Sequence, residues 1–242
     1  MPRNLNVTSI KTNCSSCGLR ESCLPIGLDA QEVKALDHLI NQRHKVRRGE
    51  HLHRAGLDFH SLHAIRSGSF KTYVLQEDGR EQVTGFHMTG EVLGLDAIGT
   101  DMHTCNAVAL EDSEVCEIPF AKLEGISRTI PSLMHHFYKI MSREIMRERG
   151  MLLLGGMKAG ERLTAFLLNL SHRFAKRGYS PQDFNLRMTR EEIGSYLGLK
   201  LETISRTFSR LQEDGLINVN KKHIRLNDID HLRRQYGNPS CE

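Results

Sequence analysis

The 242-residue chain lacks the features that mark membrane, secreted and enzymatic proteins. No apolar run is long enough to span a bilayer. The N-terminus, MPRNLNVTSIKTNCSS, has no apolar core of the secretory kind. A cytoplasmic protein with no membrane partner is expected. No P-loop, G-x-S-x-G, H-E-x-x-H or dinucleotide fingerprint occurs, and no paired carboxylates stand in a catalytic context. No catalytic residue is assigned and no enzyme is expected. Internal repeats are absent. Cysteine is sparse, at six residues. In a reducing compartment disulfides are rare, so closely spaced cysteines read as metal-binding or redox-active.

What is present is unevenly distributed. Residues 1–158 hold 19 Lys/Arg and 19 Asp/Glu, and residues 159–242 hold 14 and 10, so the whole formal charge of +4 falls in the last third. That is where a phosphate backbone would dock. Four segments follow from the changes in pattern. Residues 1–28 are polar and cysteine-bearing. Residues 29–130 begin with a short helix, where Asp29 and Glu32 make a capping box. They continue as short β-like runs between Gly- and Asp-rich turns, the pattern of a β barrel or sandwich. Residues 131–156 form a long helix from Pro131 to a hinge at Gly155–Gly156 and Gly160. Residues 157–242 contain helices and two closing strands around Lys221–Lys222. The fold class is α+β.

The run MTREEIGSYLGLKLETISRTFSRLQEDGLI has the marks of a helix-turn-helix. Thr189 and Glu192 cap its first helix, and Gly198 suits a left-handed turn. In the second helix Ile204, Phe208 and Leu211 fall on one face. Glu202, Ser205 and Arg206 share the other face near the N-terminal end, where recognition helices meet base edges. Arginine can bind guanine bidentately, glutamate can accept from cytosine, and serine can meet several edges. Arg210 continues that face towards phosphate. Lys200 takes the N-cap, where Ser or Thr would stabilise by about 1 kcal/mol, and is assigned to phosphate instead. Lys221 and Lys222 are the wing's phosphate contacts.

Cys14, Cys17 and Cys23 form C-x2-C-x5-C, and Cys116 lies 93 residues after Cys23. Four thiolates suit zinc or an iron–sulfur cluster. Zinc is the weaker fit to the pattern, because no second C-x2-C or H-x3-H partner is evident. Cys105 is the rival fourth ligand and reads as a small buried residue; Cys241 reads as unliganded. His51, His53, His60 and His63, at alternating strand spacing, are expected on a solvated face, and adjacent His135 and His136 diverge on a helix. None is assigned as a ligand. Met134, Tyr138, Met141, Ile145, Glu148 and Leu152 follow the 4-3-4-3-4 spacing of a coiled-coil seam.

The segments LHAIRSGSFKTY, EQVTGFHMTGEVLGLDAIGT, VCEIPF, ERLTAFLLNLSHRFAKRGYSP and MTREEIGSYLGLKLETISR resemble the FNR branch of the CRP/FNR superfamily of bacterial transcription regulators. The resemblance covers nearly the whole chain. It implies a β jelly-roll sensor domain, a dimerisation helix and a winged helix-turn-helix. It further implies an oxygen-labile [4Fe-4S] cluster on Cys14, Cys17, Cys23 and Cys116, with Cys116 chosen over Cys105 because VCEIPF matches the family's ligand strand. The implied partners are a second copy of the chain, double-stranded DNA carrying a TTGAT-like palindrome, and RNA polymerase. The polymerase contact falls on the hairpin Gln76–Gln82, where Arg80 replaces a commonly acidic residue. Cyclic-nucleotide members carry Arg-Ser/Thr-Ala after GE-φ-φ-G (φ, hydrophobic). This chain has GEVLGLD and then His103-Thr104-Cys105, which leaves a cyclic phosphate without its bidentate arginine. Sensing of another small effector on the same scaffold is the alternative.

Overall fold

The structure, a computed structural model, describes residues 13–19, 23–40 and 42–236. It divides into two compact units, residues 1–141 and 142–242. Cys241 lies outside the described residues.

The first unit is built on eight strands: β1 (Gln42–Val46), β2 (His51–His53), β3 (Ser61–Ser67), β4 (Ser69–Leu75), β5 (Glu81–Met88), β6 (Val92–Leu93), β7 (Asn106–Ala109) and β8 (Ser113–Pro119). They form two antiparallel sheets, ordered β1-β8-β3-β6 and β2-β7-β4-β5, the arrangement of a jelly roll. Side-chain alternation along a strand sends neighbours to opposite faces, and β8 shows the result. Val115 joins Val46, Ile65 and Leu93 of its own sheet, with Phe70 and Ala109 of the other, in the inner core. Cys116 and Ile118 point the other way, with Leu62, Ala64 and Val92.

That outer face is covered by helices. Here α1 (Ala30–Asp37) supplies Val33 and Leu36, α2 (Phe120–Ser127) supplies Leu123, and α3 (Pro131–Leu154) supplies Leu133 and Phe137. Burying each large aliphatic side chain is worth about 1.5–3 kcal/mol. The capping box expected at Asp29 is present: its carboxylate accepts from the Gln31 and Glu32 amides, and Glu32 accepts from the Asp29 amide, all at 2.8 Å. The Glu32 carboxylate also accepts from the Ser132 hydroxyl, tying the start of α1 to the start of α3. Of the expected seam on α3, Met134 and Met141 lean on the sensor core. Tyr138, Ile145 and Leu152, spaced by seven, are 58, 61 and 81 % exposed, and Glu148 is exposed beside them.

The second unit holds α4 (Ala159–Ala175), β9 (Asp183–Asn185), α5 (Arg190–Leu197), α6 (Leu201–Glu213), β10 (Ile217–Asn220), β11 (His223–Leu226) and α7 (Ile229–Tyr236). Three points differ from the sequence reading. Gly160 lies inside the first turn of α4 rather than in a hinge. The wing is a three-stranded sheet, β10-β11-β9; β9, three residues with Phe184 alone buried, is too short to be read as a strand from its pattern. The wing does not close the unit, since α7 follows it and packs on α4. Arg162 of α4 donates to the carbonyls of Gly155 (2.6 Å), Met157 (2.9 Å) and Leu197 (3.0 Å), so one guanidinium fixes the chain before α4 and the end of α5.

The turn between α5 and α6 depends on two glycines. Gly198 sits at φ 64°, in the left-handed region. Gly194 lets the chain pass closely: a Cβ there would stand 2.6 Å from the Leu199 carbonyl oxygen. Gly194→Ala should therefore cost about 1–3 kcal/mol, read as a lower urea midpoint. Gly156→Ala, with nothing within 4 Å of the added carbon, should stay within about 0.5 kcal/mol. Equal midpoints for the two variants would show that the turn spreads freely.

Candidate metal centre and nucleic-acid interface

The N-terminal cysteines are held by a carboxylate that sequence reasoning missed. Cys14–Ser16 form a single 3-10 turn, closed by the Cys17 amide donating to the Cys14 carbonyl at 3.1 Å. Asp37, the last residue of α1, accepts from the Cys14 amide, from the Ser15 amide at 3.4 Å and from the Ser15 hydroxyl at 2.8 Å. Its distance in sequence, 23 residues from Cys14, gives no local signal. Cys23 begins the next turn, its carbonyl accepting from the Ile26 amide at 3.1 Å.

Cys116 sits at mid-strand in β8, opposite Arg43 of β1 and Ala64 of β3. Cys14 and Cys116 are buried in the same apolar cluster, and Cys23 packs against it. The thiols are close enough to act on one another electrostatically. Burial pushes Cys14 above the usual thiol range, and Cys23, Asp37, Cys116 and Cys17 push the same way. Burial also pushes Cys23 up to about 12, against the Leu24 amide, which lowers it. Cys116 is raised to about 11, chiefly by burial, with Arg43 and Arg66 pulling it down. The Arg66 guanidinium also reaches the Cys17 sulfur at 3.6 Å. Arg43 and Arg66 both pair with Glu114, at 3.5 and 3.3 Å. All the described cysteines are free thiols.

The structure thus brings Cys14, Cys17, Cys23 and Cys116 together, whereas Cys105 lies elsewhere, its amide donating to Asp96 at 3.3 Å. The donor set is all sulfur, buried at Cys14 and Cys116, half-buried at Cys17 and Cys23, and flanked by two guanidinium groups. The raised thiols of Cys14, Cys23 and Cys116 stay protonated and inert until a metal displaces the proton. Among the described residues, the four sulfurs form no group in which three or more donor atoms lie within 4.8 Å of one another. A single tetrahedral zinc with 2.3 Å bonds draws its sulfurs to about 3.8 Å.

The histidines correct the sequence reading in part. His60 is exposed, but His53 is buried against the ring of His103. The inward turn of β2 at His53 overrides the expected solvated face. His63 is half-buried by surface area, with its Nδ1 fully enclosed, and burial lowers it to about 4.

In the second unit, the capping box at Thr189 is formed: its hydroxyl accepts from the Glu192 amide at 3.1 Å, and Glu192 accepts from the Thr189 amide at 2.7 Å. On α6, Ile204, Phe208 and Leu211 are buried, while Glu202, Arg206 and Arg210 are exposed and Ser205 is half-buried. Arg210 lies 3.9 Å from Asp214 on the solvent side. Lys200 is the N-cap of α6 and makes no side-chain capping bond. Lys221 occupies the tip of the wing at φ 56°, and Lys222 donates to the Arg187 carbonyl at 3.0 Å. Residues 76–80 turn between β4 and β5, and there Arg80 is bound by Asp78 at 2.6 Å, both groups well exposed.

Residues 43–129 match the cyclic nucleotide-binding domain, and residues 161–235 match the Crp-like helix-turn-helix domain. The transcriptional regulatory protein btr of Bordetella pertussis is 46 % identical over 242 residues, 100 % of each chain. The fumarate and nitrate reduction regulatory protein of Escherichia coli K12 is 45 % identical over 226 residues, 93 % of this chain and 90 % of that protein. Among solved structures, FixK2 from Bradyrhizobium japonicum superposes with a TM-score of 0.73 at 27 % identity, covering 79 % of this chain and 95 % of that one. With a β sensor domain, a long helix and a capped helix-turn-helix in the family's order, and relatives of this identity along its length, the chain belongs to the CRP/FNR family and is a DNA-binding transcription regulator, not an enzyme.

Proposed function

We propose that this regulator is oxygen-responsive. In this reading its dimerisation and its binding to a TTGAT-like palindrome depend on a labile [4Fe-4S] cluster held by Cys14, Cys17, Cys23 and Cys116. One observation carries the reading: Cys14, Cys23 and Cys116 share one apolar cluster, and Cys17 is close enough to act on Cys14 and Cys116 electrostatically. The donor chemistry fits. Four thiols with no imidazole or carboxylate among them suit such a cluster, and Arg43 and Arg66 favour negative charge at Cys116. The name of the Escherichia coli relative agrees. When bound, the cluster supplies a redox-labile link that oxygen destroys.

The rest is done by the chain's own residues. With the four thiolates engaged, the turn at Cys14 and strand β8 behave as one body. Asp37 fixes that turn to the end of α1, and Glu32 fixes the start of α1 to Ser132 at the start of α3. The N-terminal part of α3 is thereby held to the sheet, and its exposed stripe of Tyr138, Ile145 and Leu152 is presented to a second copy. Pairing of the two helices spaces the recognition helices one DNA turn apart. Glu202, Ser205 and Arg206 then read bases, and Lys200, Arg210, Lys221 and Lys222 meet phosphate. The β4–β5 turn is the RNA polymerase contact, and its Asp78–Arg80 pair leaves Glu77 as its unbalanced charge.

Anaerobic reconstitution with iron and sulfide assays tests the ligand set. Cys14→Ser, Cys17→Ser, Cys23→Ser and Cys116→Ser should each lose the brown chromophore and specific DNA binding, while Cys105→Ser keeps both. A colourless protein holding one zinc per chain would replace the cluster by a structural ion. On DNA, Arg206→Ala should cost about 1–3 kcal/mol at the specific site and relax one guanine position. Lys221→Ala should weaken all sequences alike and reduce the salt slope by about 1. Equal losses of Arg206→Ala on specific and random DNA would assign that arginine to phosphate. For the dimer, Glu148 meets its own copy if the seam pairs in parallel, and the two carboxylates repel. Sedimentation of cluster-free Glu148→Ala should then show more dimer than cluster-free wild type; identical profiles would remove Glu148 from the seam.

A further inference from the structure

The sensor domain contains a second group of metal-binding side chains, away from the cysteines. His53 of β2, Asp96 in the 3-10 turn Leu95–Ala97, and His103 in the following loop place one donor atom each within 4.8 Å of one another. Both histidines are buried, at 6 % exposure. Their rings stack with centroids 3.7 Å apart and planes 6° apart, and Phe59 closes the edge of His103.

Two features set this group apart from an ordinary buried hydrogen-bond network. First, neither ring nitrogen of His53 has a hydrogen-bond partner, and Nδ1 of His103 has none either. Leaving such an atom buried and unpaired costs about 1–3 kcal/mol. His103 Nδ1 is 3.6 Å from Asp96 Oδ1, beyond hydrogen-bonding range. Second, Asp96 is held as an anion against its burial, first by the His103 side chain and then by its loop. Its Oδ2 accepts from the Thr104 amide at 2.8 Å, the Thr104 hydroxyl at 3.3 Å and the Cys105 amide at 3.3 Å, leaving Oδ1 turned towards the rings. The loop is itself pinned, since the His103 carbonyl accepts from the Gly56 amide at 2.8 Å and its amide donates to the Leu57 carbonyl at 2.9 Å. Burial lowers His53 to about 3, with His103 acting in the same direction, so its ring is neutral at pH 7 and offers one nitrogen lone pair.

We propose that His53, Asp96 and His103 bind one divalent first-row transition ion of the zinc class, as an effector site separate from the four cysteines. Two imidazoles and a carboxylate form a three-ligand set with an open fourth position. Two neutral rings and one carboxylate carry a charge of −1, which a divalent ion reverses. The site lies within the residues that match the cyclic nucleotide-binding domain. His103 stands at the first position of the His-Thr-Cys run that replaces the phosphate-binding Arg-Ser-Ala, so a cation takes the place of an anion there. Binding draws the donor atoms to about 3.3 Å apart, with bonds of about 2.0–2.1 Å, and turns the stacked rings out of parallel. Strand β2 and the 96–103 loop are then cross-linked.

Titration of the cluster-free full chain with Co2+ tests this. The chain carrying Cys14→Ser, Cys17→Ser, Cys23→Ser and Cys116→Ser, in which those thiolates cannot take the ion, should bind one Co2+ with weak visible bands and no thiolate charge-transfer absorption, and its melting temperature should rise with added ion. This signal should be lost when His53→Phe, whose ring keeps the stack, is added, with affinity falling by at least about 100-fold. Asp96→Asn, which preserves the oxygen that accepts from the loop amides, should weaken binding while leaving the unliganded melt near wild type. Iron and sulfide content of anaerobically reconstituted His53→Phe should match wild type, so the cluster and the ion are judged separately. Unchanged Co2+ affinity when His53→Phe or Asp96→Asn is added to the four-serine chain would overturn the proposal, as would absence of the signal from the four-serine chain itself.

Discussion

The organisation of the first unit follows from the outer face of the β1-β8-β3-β6 sheet, which is apolar and has to be covered. Leu62, Ala64, Cys116 and Ile118 would stand in water without α1, α2 and the start of α3. Covering that face requires the chain before β1 and the chain after β8 to converge on it. The N-terminal cysteines arrive with the first and the long helix with the second. A hydrophobic requirement therefore brings together groups whose chemistry is not hydrophobic. The thiol patch and the root of α3 are neighbours because both pack on one sheet.

This placement sets the chemistry of the thiols. In a dry patch, each lost proton leaves a charge that burial penalises and its neighbours repel, which is why Cys14, Cys23 and Cys116 all hold their protons tightly. Arg43 and Arg66 offset part of that penalty at Cys116. Occupation by a metal centre would therefore expel protons. Asp37 ties the Cys14 turn to the end of α1, and the Glu32–Ser132 contact ties the start of α1 to the start of α3.

Much of this was legible in the residues, for identifiable reasons. The capping boxes at Asp29 and Thr189, the left-handed Gly198 and the two faces of α6 are local patterns, written within four residues or one helical turn. The jelly roll was legible as short strands with turn signals, and its order followed from resemblance. The missed features are those that depend on distant contacts. Asp37 is an ordinary helix-terminal aspartate until Cys14 docks on it. His53 looks like any alternate strand residue until His103, 50 positions later, lies flat against it. β9 was too short to show a period, and it is a strand because β11 pairs with it. The 4-3-4-3-4 spacing on α3 says nothing of Met134 and Met141 leaning on the chain's own core.

If the stripe of Tyr138, Ile145 and Leu152 pairs two copies as proposed, the regulator is also sensitive to its own abundance, because a pairing equilibrium follows mass action. Halving the protein level then lowers occupancy of the DNA site by more than the same change would for a monomeric DNA binder. The cell can therefore set the threshold of the response by dosage, with no change in any residue that senses the signal or reads the promoter.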